Sequence, residues 1–222
     1  MRALLLLLLL SAPVHAGPWP RARGEVYVLS QHETGSDWSA LYAEWGGPLG
    51  LTFGLDAGGE MRAMADPRAF AKARLRVFAA RPLPDLGAWR WAVEGGVGLD
   101  LAQDADRDGA PETRRVPRMS VGLSVGRGLR WGGADGWATA GLRTEVAKGA
   151  ARRDTLGVKF GWKPTPRDTL ELSLYAERAD GTAHWTAGPF YQRRVGRIGL
   201  RGGVVVTEAG EARLRLGVAT EF

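Results

Sequence analysis

The chain has 222 residues, 45% of them hydrophobic and 24% charged, with a formal net charge of +6. Its apolar content excludes a disordered chain, and the absence of cysteine excludes a disulfide scaffold, a thiolate metal site and a cysteine nucleophile. The basic excess would point to nucleic acid only in a cytoplasmic protein, so the N-terminus is read first.

Arg2 is followed by the apolar run Ala3 to Leu10, then Ser11 and Pro13, and Val14-His15-Ala16 has the small-x-small spacing of a signal-peptidase site. The run falls well short of the roughly 20 residues a spanning helix requires. Residues 1–16 are therefore expected to be an export signal and residues 17–222 a single domain. Export makes nucleic acid an unsuitable partner. No phosphate-binding glycine loop with lysine and no metalloprotease motif occurs.

From Gly24 onward the hydrophobic period is two, the period of a strand with two unlike faces. Leu49, Leu51, Phe53 and Leu55 alternate with Gly50, Thr52, Gly54 and Asp56. Met119, Val121, Leu123 and Val125 alternate with Ser120, Gly122, Ser124 and Gly126, and Leu170, Leu172 and Leu174 behave likewise. Strands are predicted at residues 24–33, 38–46, 48–58, 69–80, 88–102, 115–127, 136–147, 154–163, 168–179, 182–192, 195–207 and 211–222. That is about 17 residues per strand and turn, enough for the 9–11 residues of a tilted membrane-crossing strand. Connections alternate between compact Gly/Pro turns, such as Gly46-Gly47-Pro48 and residues 163–167, and more polar segments, such as 31–37, 58–68, 103–115 and 147–154. The first set is assigned to the periplasmic side and the second to the outside.

Alternation alone does not say which face is dry. The last strand ends in Phe222 and carries Leu214, Leu216, Val218 and Thr220 at every second position. This resembles the C-terminal signature of bacterial outer-membrane β-barrels, a terminal aromatic on an amphipathic strand. The resemblance implies an all-β, transmembrane, antiparallel up-and-down barrel. It also implies that the barrel assembly machinery reads Phe222, and that lipid and lipopolysaccharide surround the chain in a Gram-negative outer membrane. The resemblance is to the class, and no functional residue is transferred with it. Trp45, Trp89, Trp131, Trp137 and Trp162 near the compact turns suit an interfacial girdle.

The polar face carries the candidate function. Lys72, Arg74 and Arg76 on one strand, with Arg197, Arg201, Arg213 and Arg215 on the last two, are expected to form a basic lumen strip favouring anions. Arg90, Glu94, Arg143, Glu145, Lys159, Glu171, Glu221, Glu44, Asp56 and Asp100 are also placed inward. Inward glycines, among them Gly50, Gly54, Gly96, Gly122, Gly126 and Gly161, are expected to leave space. A turn at Asp180-Gly181 sets Glu177 across from His184 as a lumen charge pair. Neither mature histidine, His32 or His184, has a serine two residues on, the spacing used by the outer-membrane phospholipase and lipid A deacylase families, and no asparagine is present. No catalytic residue is assigned. No cofactor is expected beyond a calcium ion on the external segment, where Asp104, Asp106, Asp108 and Gly109 match the start of a calcium loop.

The reading that results is a narrow porin-like channel for small polar or anionic solutes. The alternatives are a closed barrel with a structural or partner-binding role and a soluble periplasmic ligand-binding barrel.

Overall fold

A computed structural model describes residues 18–36, 38–61, 70–105 and 111–222. Twelve strands run in chain order: β1 (Val26–Glu33), β2 (Trp38–Gly46), β3 (Thr52–Met61), β4 (Phe70–Pro82), β5 (Arg90–Ala105) and β6 (Pro111–Trp131), then β7 (Ala134–Ala147), β8 (Ala150–Lys163), β9 (Asp168–Ala179), β10 (Thr182–Val195), β11 (Ile198–Thr207) and β12 (Ala212–Glu221). Each pairs antiparallel with its sequence neighbours. β1 pairs with β12 through Tyr27↔Glu221 to Glu33↔Arg215, which closes the barrel.

Closure leaves the described wall with no free edge, so every strand residue commits its side chain outward or inward. The outcome is inverted relative to a soluble barrel. Outward Met119 and Val121 are 66% and 67% exposed, whereas inward Glu145 and Arg76 are 3% and 5% exposed. On β9 the outward residues between Asp168 and Arg178 are Leu170, Leu172, Leu174 and Ala176. At about 3.3 Å per residue and a tilt of about 40°, that stretch spans about 25 Å, the height of a lipid-facing band. Trp45 stacks on Phe53 (centroids 5.5 Å apart), and Trp131 lies 6.4 Å from Trp162, at the terminal end of the barrel, where the chain enters β1 and leaves β12.

All twelve expected strands form, with shifted ends. β3 starts at Thr52 because Pro48–Gly50 is a 3₁₀ turn in which Leu49 has φ 59° and Gly50 φ 70°. Gly50 is thus a turn residue and lines no lumen. The described residues of the segments 103–115 and 147–154 are largely strand. β5 and β6 stay paired to Ala105↔Pro111, and β7 and β8 meet at Lys148-Gly149 with Gly149 at φ 72°. A hairpin that continues past the membrane keeps its own backbone bonded, so pairing does not stop where the apolar alternation does. The β10–β11 turn falls at Gly196-Arg197, which takes Arg197 off the wall.

Several inward glycines do not leave space but seat large side chains, whereas Gly157 does face open space. A Cβ on Gly54 would lie 2.0 Å from the Phe78 ring, and one on Gly161 would lie 2.0 Å from the Trp137 ring. Trp137 therefore faces inward, 7% exposed, with Lys163 Nζ 5.7 Å from its ring centre, and is not part of the outer girdle. Gly161→Val should cost about 1–3 kcal/mol by overpacking, read as a lower urea midpoint in lipid vesicles, while Gly157→Val, with nothing within 4 Å of its Cβ, should cost less.

Candidate functional site: the lumen

The lumen is built in tiers. At the terminal end, the segment before β1 turns into the barrel. Pro18 is fully buried and Arg21 is 2% exposed. Arg21 Nε reaches Glu44 on β2 (2.9 Å), and its Nη1 reaches Glu221 on β12 (2.8 Å). Its backbone N–H donates to Thr52 Oγ1 (3.0 Å), and its guanidinium lies 4.7 Å from the centre of the Tyr27 ring.

Above it lies an aromatic tier. Tyr42 is 6.4 Å from Tyr27 and 6.2 Å from Phe78, ring centre to ring centre. Arg76 caps Phe78 at 4.3 Å, and Arg201 caps Phe190 at 4.2 Å. The planar guanidinium suits this position because its faces stack on rings while its edges still donate to carboxylates.

At mid-height an ion-pair lattice connects separate parts of the wall. Arg76 binds Glu94 (2.8 Å) and Asp56 (3.7 Å), and Arg143 binds Glu145 (2.9 Å) and Asp56 (4.0 Å). Arg153 on β8 reaches Asp100 on β5 (2.8 Å), Glu145 (3.0 Å) and Glu177 (3.3 Å). Arg74 on β4 reaches Glu177 on β9 (3.3 Å), and Arg118 binds Asp100 (2.6 Å). A pair that joins β4 to β9 crosses the bore. The gap between Arg74, Gly98, Asp100, Arg118, Ser120 and Glu145 measures about 10 Å³, room for about one water.

Toward the far end, Arg213 (3.1 Å) and Arg215 both bind Glu33. Arg201 binds Glu171 (2.6 Å). The expected basic strip is thereby divided. Lys72, Arg74 and Arg76 on β4 are separated from Arg201, Arg213 and Arg215 by β1, β2 and β3, and those strands supply Glu33, Glu44 and Asp56. Lys72 is exposed near the far end, and Arg197 is exposed in its turn. Arg90 lies by Asp85 (3.9 Å), while Glu94 goes to Arg76.

Glu177 and His184 are in register as expected, but their side chains part. Glu177 is taken by Arg74, Arg153 and the Tyr175 hydroxyl. His184 Nδ1 lies 2.6 Å from Glu208 on the β11–β12 connection. Two permanent cations outcompete one imidazole for a carboxylate. Asp106 and Asp108 lie outside the described residues. Asp104 is placed only as a strand position opposite Glu112, so the calcium segment is not described as a site.

Sequence reasoning missed Arg21, Glu33, Arg118 and Arg153. Arg118 was legible, since it shares parity with Ser120. Arg153 was hidden because its segment read as a loop. Arg21 lies outside any alternating run. A cross-strand contact was also missed: His32 Nδ1 lies 3.0 Å from Ser39 Oγ on the outward face of β1 and β2, a proximity that a one-strand motif does not detect.

No family model matches the chain, and no curated sequence does. Solved structures do. The KdgM porin aligns at a TM-score of 0.61 with 10% identity, over 89% of this chain and 99% of that one. The KdgM porin in complex with disordered oligogalacturonate aligns at 0.60 with 11% identity, over 89% and 99%. LpxR from Salmonella typhimurium aligns at 0.56 with 7% identity, over 90% and 99%. The fold is that of bacterial outer-membrane β-barrels.

Removing Glu171 (E171A) should destabilise the barrel by about 3 kcal/mol, because Arg201 is left buried beside Phe190 without its carboxylate. The double variant E171L/R201M should recover most of that loss in urea titrations. Glu208, outside the wall, has its carboxyl held down to about 2 by the His184 side chain, then by backbone N–H groups of Glu208 and Trp185. With a folded value below the ordinary 4.5, its contribution is complete above about pH 4.5 and is lost as pH falls toward 2. Carboxyl ¹³C NMR should place the midpoint near 2, and His184→Ala should raise it.

Proposed function

We propose that this chain is an outer-membrane barrel giving slow diffusive passage to small polar solutes, anions ahead of cations, through a lumen constricted by the ion-pair lattice. The observation that carries the reading is chemical inversion. The outside is an apolar band, while the inside carries ionised and hydroxyl side chains at every level, among them Asp56, Glu94, Arg118, Thr139 and Glu177, interleaved with aromatic rings that arginines cap. A lipid-ligand cavity would need the opposite lining. On this reading residues 1–16 direct export, Phe222 serves recognition by the assembly machinery, and the terminal end faces the periplasm.

Anion preference comes from the outer mouth. Among the described residues, Lys72 and Arg114 there form no ion pair, against the single unpaired carboxylate of Glu60, whereas at the inner mouth Arg130 is in register with Asp135. Unpaired positive charge at a constriction's entrance raises the local concentration of anions. One of the like-folded barrels was solved with oligogalacturonate, itself an anionic solute.

No catalysis is proposed. Among the described residues, no carboxylate orients the imidazole of the His32–Ser39 pair, and His184 is engaged with Glu208 at the rim. A triad needs a base held by a third group.

A second reading, a barrel closed for a structural or partner-binding role, is favoured by Arg74–Glu177 and Arg153–Asp100, which join non-adjacent strands across the interior. Planar-bilayer recording separates the two. Small, discrete steps with anion selectivity are expected. Silence in the wild type and in every lumen variant would establish the closed reading. In a conducting barrel, Arg74→Glu with Arg213→Glu should move the reversal potential toward cations, and an unchanged potential would remove these arginines from selectivity.

A further inference from the structure

Beyond a single bridge between Arg23 and Gly46, the segment ahead of β1 takes no place in the wall, yet its contacts are specific. Gly46 on β2 and Gly126 on β6 are the two glycines against which it lies. A Cβ on Gly46 would fall 1.8 Å from the Ala22 carbonyl oxygen, and one on Gly126 would fall 2.6 Å from the Trp19 ring and 2.9 Å from Pro18. The segment therefore runs from the β2 side of the mouth to the β6 side, across the bore. Its entry is fixed by backbone bonds: Gly24 N–H donates to the Gly46 carbonyl (2.9 Å), and Ala22 N–H donates to the Glu25 carboxylate (3.0 Å).

Its anchor is Arg21. Glu44 and Glu221, from β2 and β12, converge on one guanidinium whose side chain has no solvent exposure, and the Tyr27 ring covers its face. Two carboxylates and an aromatic face are the components of a guanidinium receptor. Removing Arg21 would leave Glu44 with only the Tyr42 hydroxyl (2.5 Å) and Glu221 with only the half-exposed Arg194 (3.1 Å), so the receptor is complete only when occupied.

We infer that Glu44, Glu221 and Tyr27 form a binding site for an arginine-bearing peptide strand, occupied in cis by Pro18–Arg21, and that this strand is the plug of the inner mouth. The inference rests on the conducting reading above only for its effect on current; the seating of the plug stands separately. The plug lies in series with the mid-height lattice, so its departure opens the inner mouth while the lattice still limits solute size.

Thr139, in register with Gly126 and 8% exposed on the lumen face, reports on the plug without touching Arg21. In the otherwise cysteine-free chain, Thr139→Cys is titrated with a hydrophilic maleimide. Adding Arg21→Ala, or Glu44→Gln with Glu221→Gln, should speed modification by about ten-fold or more, the equivalent of about 1.4 kcal/mol of lost closure. Arg21→Lys should restore part of the protection, since an ammonium keeps the charge without the fork. Equal modification rates with and without Arg21 overturn the plug. Faster modification with no conductance in any variant upholds the plug and defeats the conducting reading. Should Arg21→Ala fail to fold, the isosteric Glu44→Gln/Glu221→Gln pair supplies the same comparison.

Discussion

Pairing of β1 with β12 is the constraint on which everything else depends. Once the described wall is hydrogen-bonded all the way round, residue parity becomes absolute: a side chain faces the outside or the lumen, with no third option. The apolar parity then makes the exterior suitable for lipid, and the polar parity is confined with charges that have little water to solvate them. Strand closure, in other words, creates the electrostatic problem that the interior has to solve.

The interior solves it by pairing. Buried ions unaccompanied by partners would each cost several kcal/mol, so arginines and carboxylates interleave, and single groups serve more than one partner. Glu33 accepts from both Arg213 and Arg215, and Asp100 from Arg118 and Arg153. Arginine is used throughout because its guanidinium binds carboxylates at the edge and stacks on Phe78 or Phe190 at the face. Glycine and aromatic side chains provide the complementary fit. Gly54 with Phe78 and Gly161 with Trp137 let a ring lie flat on the opposing backbone, narrowing the bore without breaking the ladder. A small-to-large alternation that reads as empty space in one dimension is filled space in three.

The same economy explains the terminal segment. Glu44 and Glu221 face one another across the β1 strand, and Arg21 pairs with both from outside the wall, sharing Glu221 with Arg194. The wall and the segment are thus electrostatically interdependent, and the inner mouth and the mid-height lattice narrow the bore at separate levels.

The twelve strands, their antiparallel order and, Trp137 apart, the two faces of each were legible in the sequence, because period-two alternation is local and survives any tertiary context. Leu170, Leu172 and Leu174 required no knowledge of neighbours to be placed on one face. Charge partners were not legible. Arg74 could be placed inward, but its ion pair with Glu177 depends on which strands face each other across the bore, and that is set by closure and stagger around all twelve strands. The basic strip failed for the same reason: one-dimensional reading placed β4 and β12 side by side in effect, whereas β1 to β3 stand between them and carry the carboxylates. The sequence by itself determined that this chain is a barrel with an apolar exterior and an ionised interior. Only the tertiary structure decided that the interior is a cross-linked lattice with Arg21 seated at its mouth, because contacts across a lumen join residues that no local period relates.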